Sequence, residues 1–131
     1  MTDEERARFD ALFDEAVAQL PPELQEYLQE APLVVDDRPS VEMLESIGLE
    51  SGEDLCGLHS GIALTERSVE HSGSPTDVIN LFRQGIVNAA GGWSHVNADD
   101  LVFEQIVITI LHEIGHHFGL EEDDLEALGF G

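Results

Sequence analysis

The sequence predicts a domain of the α/β (α+β) class. Three observations carry that expectation. Two stretches near the N-terminus have apolar residues at helical spacing, short apolar runs rich in branched residues occupy the middle, and a long segment with helical period closes the chain. The 131 residues suffice for one domain, 1–131, with a hydrophobic core of its own. No internal repeat, low-complexity tract or linker divides them.

In the first segment Phe9, Leu12, Phe13, Ala16, Val17 and Leu20 recur at three- and four-residue steps, which puts them on one helix face. Thr2 with Glu5 three residues on makes a capping box, so the helix is expected to start there. Pro21 ends it, and Pro22 suits the first turn of a second helix carrying Leu24, Tyr27, Leu28 and Ala31. PLVVDD, from Pro32 to Asp37, reads as a strand. Val41 to Leu49 has room for a short helix. SGEDLCGLHSG is turn-rich and leads into GIALTERS, which is spaced as a second strand. HSGSPTD, from His71 to Asp77, is a loop on composition, VINLFRQ, from Val78 to Gln84, a third strand, and AAGGWSHVN, from Ala89 to Asn97, a glycine-containing loop.

The segment from Ala98 to Phe118 follows, with Asn97 as N-cap and Asp99 and Asp100 in the first turn, where acids are favoured. FEQIVITIL holds residues that also suit strands, but the length without a breaker argues for helix. At about 100° per residue, Gln105, Thr109, His112 and His116 fall in one stripe. Phe103, Ile106, Val107, Ile110, Ile114 and Phe118 cover the rest, so the helix is expected to be buried.

Charge narrows the function classes. There are 28 acids and 5 bases, every base an arginine, for a formal net charge of −23. Such a chain repels nucleic acid and anionic membranes, so neither is an expected partner. A peptide or protein substrate, cationic ones favoured, fits better. Solubility alone also accounts for much of the acidity. A single cysteine, Cys56, excludes an internal disulfide. The first residues have no signal-peptide core and no run has transmembrane length, so the expected place is the cytoplasm.

The chemistry concentrates in HEIGHHFGLEEDD, from His112 to Asp124. Residues four apart on a helix lie roughly 5–6 Å from one another, so His112 and His116 can grip one zinc ion. Glu113 is turned about 100° from His112, beside the ion rather than on it. That is where a general base takes a proton from a water whose pKa zinc lowers from about 15.7 to about 7. The pattern H-E-x-x-H therefore predicts one Zn2+ and hydrolysis by zinc-activated water. The plain alternative is a pair of core histidines beside a surface carboxylate.

Two histidines leave room for a third protein ligand. Gly119 is placed to end the helix and turn the chain back. The extended H-E-x-x-H-x-x-G-x-x-H arrangement puts its third ligand ten residues after the first histidine, which here is Glu122. Asp123 is the alternative, and all four acids also suit the N-terminal charge of a short last helix.

These residues resemble the small bacterial zincin-like metallopeptidase family. HEIGHHFGL with its acidic patch and LEALG, the opening amphipathic helix, PLVVDD, GLHSGIALTERS and INLFRQGI match that family in order, over nearly the whole chain. The resemblance implies a zincin-like domain: a small mixed sheet packed against N-terminal helices and a buried zinc helix, with an acidic third ligand after the glycine. The family usually carries Asp where this chain has Glu122, and GLY where it has GLH with His59.

Two features set this chain apart from larger zincins. The methionine turn of metzincins is absent, since Met1 and Met43 both precede the histidines. Little sequence follows Asp124, so the groove is expected to be shallow or to be completed by a protein partner. Two rival readings follow. One is a non-catalytic zinc-binding interaction module, against which Glu113 speaks, because a structural site has no use for a base. The other is a deformylase-type amide hydrolase with Cys56 as a ligand, although cysteine is most often a core residue. No donor to the transition state is assigned among His117, His95, His71, Arg67 and Tyr27, and Trp93 is read as a partly buried anchor.

Overall fold

The computed structural model describes residues 1–48, 55–60 and 78–118, and of residues 59, 60 and 116–118 the backbone alone. Among the described residues the elements run α1 (Asp3–Ala18), α2 (Pro22–Glu30), β1 (Leu33–Asp36), α3 (Val41–Ile47), β2 (Gly57–Ser60), β3 (Val78–Phe82), α4 (Arg83–Ala90) and α5 (Ala98–Phe118). The strands form one mixed sheet in the order β1-β3-β2. β1 pairs with β3 in parallel, Leu33 opposite Ile79, and β2 runs antiparallel to β3, Gly57 opposite Leu81. This is the α+β class that the sequence predicts.

Local chemistry fixes the ends of α1 and α2. Thr2 Oγ1 accepts from the Glu5 amide at 3.1 Å, and Thr2 N donates to Glu5 Oε1 at 2.9 Å, which completes the capping box. Pro22 opens α2, where its missing N–H costs nothing. The face predicted for α1 is the face that packs. Phe9, Ala16 and Leu20 are buried, and Leu12, Phe13 and Val17 lie partly buried against the same core.

The core joins these residues to Leu24 and Ala31, to Ile79 and Leu81 of β3, and to Val102, Ile106, Ile110 and Ile114 of α5. α5 packs against α1, α4, β2 and β3, so the helix that carries the histidines is also the one around which the domain is built. Its bounds are those read from the sequence. None of the described helices is long and apolar enough to cross a membrane.

Three expectations change. GLHS, read as part of a turn-rich stretch, is strand β2, because β3 offers it a ladder. The strand read as Val78 to Gln84 stops at Phe82, and α4 begins at once. Ile86 and Val87 turn α4 into the core, and Ala90 packs against it. The loop read from Ala89 accordingly starts after Ala90. GIALTERS (61–68) and HSGSPTD (71–77) lie outside the described residues.

A candidate metal centre on the long helix

α5 presents two faces. Val102, Ile106, Ile110 and Ile114 are fully buried. Gln105, Ile108, Thr109, His112 and Glu113 line a cleft of about 310 Å³, and Leu55, Cys56 and Gly57 form its opposite side. Three members of the predicted polar stripe, Gln105, Thr109 and His112, thus open onto one concavity. Such a volume lies at the small end of ligand sites, enough for a few side chains rather than a folded surface.

Within the cleft His112 is exposed and Glu113 is only 8% exposed. Thr109, one turn before Glu113, is buried, and its hydroxyl donates to Gln105 O at 2.8 Å. That bond satisfies the threonine and fixes its methyl toward β2. Ile108 is 49% exposed, an aliphatic residue kept at the surface one turn before His112.

The opposite wall is held by close backbone contact. The Cys56 carbonyl accepts from Phe82 N at 2.8 Å. A Cβ on Gly85 of α4 would lie 2.0 Å from Leu55 O, so only glycine lets that helix lie against the wall. Gly57 is equally tight on the other side. A Cβ there would meet Thr109 Cγ2 at 3.0 Å and both Asn80 O and Glu113 Cγ at 3.1 Å.

Of the residues singled out in the sequence, His112 and Glu113 come together here. His116 lies one turn further along α5, its side chain outside the described residues, as are Gly119, Glu122 and Asp123. Among the described residues no three His, Cys, Asp or Glu side chains converge. The donors that are described suit zinc in kind: an imidazole open to the cleft, with a carboxylate set into the wall beside it. Cys56, expected in a core or turn, packs partly against the core and also lines the cleft. His95 and Tyr27 do not line it. Trp93 is the anchor expected of it: it packs against the core under Arg8, whose guanidinium carbon lies 4.4 Å from the ring centre. Leu55, Gly57 and Ile108 were not legible as site residues, although an isoleucine one turn before His112 was a usable signal.

A search of curated proteins returns no match. The family model of the zincin-like metallopeptidases matches residues 28–131, which takes in the sheet, the cleft and the whole of α5. This chain belongs to the zincin-like metallopeptidase family.

Proposed function

We propose that the protein is a zinc-dependent metallopeptidase of the HExxH type, acting on peptide bonds. The observation that carries this reading is the meeting of His112 and Glu113 in one cleft on the segment that the family model matches. His112, His116 and Glu122 would hold one zinc ion, with Asp123 in reserve. When bound, zinc polarises the substrate carbonyl and acidifies water. Glu113 takes the proton from the attacking water and passes it to the departing amide nitrogen, as a general base that becomes a general acid. Its place in the wall keeps it at hand without making it a ligand. With 28 acids against 5 bases the chain favours cationic peptides over nucleic acid or anionic membranes. The small cleft suits an extended peptide, and a protein partner would complete it.

Metal analysis is the first test. Protein purified without chelator should carry about one zinc per chain, and His112→Ala should lose it. Glu113→Gln is the second: it should keep zinc and lose hydrolysis of unstructured peptides by about 100-fold or more. A wild-type chain that holds zinc and cleaves nothing across a broad peptide library is instead the interaction module. One observation favours a second ligand set, since Cys56 lines the same cleft, as a deformylase-type site would require. Zinc retained at full stoichiometry by Cys56→Ser sets that reading aside.

A further inference from the structure

We infer that Gly57 is a positioning residue for Glu113: the missing side chain on β2 decides where the carboxylate of the base can lie. This rests on the reading of Glu113 as general base. The three atoms around a Cβ at position 57 differ in their freedom. Asn80 O belongs to the backbone of the central strand, buried and paired on both sides, and cannot retreat. Thr109 Cγ2 belongs to a β-branched residue on a helix, and its hydroxyl is fixed on Gln105 O at 2.8 Å. Glu113 Cγ belongs to an unbranched chain with rotatable bonds out to its carboxylate. A methyl group at position 57 would therefore displace Glu113 in preference to the other two.

The same contacts explain why the base is buried at the wall while His112 is exposed. Glu113 and Thr109 are one turn apart on α5, and the bare backbone of Gly57 fits between them. β2 thus closes one side of the Glu113 side chain and leaves the cleft as the other. Proton transfer needs heavy atoms within roughly 2.6–3.2 Å, so a displacement of a few tenths of an ångström at Glu113 Cγ, carried outward to its carboxylate, is costly to the reaction.

The experiment compares Gly57→Ala, alone and with Thr109→Ser or Glu113→Ala, in peptide hydrolysis, zinc content and thermal unfolding of the metal-free protein. Gly57→Ala should keep zinc and lower kcat by about 10-fold with KM little changed. Thr109→Ser removes the Cγ2 atom but leaves the contact with Glu113 Cγ, so it should restore little of that loss; full rescue would place the clash on Thr109 and overturn the inference. In unfolding, Gly57→Ala should lower Tm less in the Glu113→Ala background than in wild type, since the displaced atoms are gone. A Gly57→Ala enzyme with wild-type kcat overturns the inference, as does an equal loss of Tm in both backgrounds. If Gly57→Ala does not fold alone, the double variant with Glu113→Ala decides: folding there supports the inference, and failure there overturns it. If wild type cleaves nothing, the peptidase reading falls, and the unfolding comparison still decides whether residue 57 governs the place of Glu113.

Discussion

Beside β1, one outer strand of the sheet, Asp37 receives Arg6 Nε at 2.8 Å and Arg83 Nη1 at 3.0 Å. Arg83 also donates to both carboxylate oxygens of Asp10, at 2.9 and 3.1 Å, and so ties α1 to the start of α4. Beside β2, the other outer strand, no arginine lines the cleft among the described residues, and a carboxylate is set into its wall next to an exposed imidazole. Both clusters are polar and both flank β3. The first binds charges to one another and holds elements together. The second keeps an acid and an imidazole facing one concavity, and the proposed function gives them a chemical use there. In a chain with only 5 bases, committing two of them to Asp37 marks that cluster as structural.

Exchanging the two roles by mutation should show the difference. The largest effect is expected from Glu113→Gln, with activity lost by about 100-fold or more while the Tm of the metal-free protein changes little, because glutamine keeps the size and shape of the side chain. A clear fall in that Tm would make Glu113 a structural residue and end the contrast. Arg83→Gln should do the reverse. Its side chain is 15% exposed, and its loss should cost about 2 kcal/mol in urea unfolding while the folded fraction keeps its activity.

Acid should weaken the first cluster selectively. Burial raises the Asp37 carboxyl, but the hydrogen bonds and charges of Arg6 and Arg83 outweigh it and hold the group below its ordinary value. Its contribution is therefore complete above the unfolded carboxylate value, near 4, and is lost as pH falls through the lower folded value. The Tm gap between wild type and Arg83→Gln should narrow below about pH 4, and a gap that stays constant would mean that Asp37 is not its source. The smallest effect is expected at the N-terminus, where Thr2→Ala should cost about 1 kcal/mol by removing the cap of α1 without touching either cluster.

Much of this was legible because it is local. The face of α1, the capping box, Pro22 in α2 and the full extent of α5 all follow from spacing and end chemistry within a few residues. So did the stripe of Gln105, Thr109 and His112 that opens onto the cleft. β2 was hidden because glycine and serine in GLHS carry turn composition, and its strand form comes from the ladder with β3, some twenty residues further on. α4 was hidden because it follows β3 with no intervening turn and holds Gly85, which lowers helix propensity but admits the Leu55 carbonyl.

The sequence by itself determined that His112, Glu113 and His116 share one helix, since their spacing needs only the local periodicity of α5. It also determined which face of each N-terminal helix is apolar. The tertiary structure decided which backbone closes the cleft, and so which residue without a side chain stands against the base. That contact lies between Gly57 and Glu113, far apart in the chain, and close packing of a strand on a helix is a property of the pair that neither segment encodes alone.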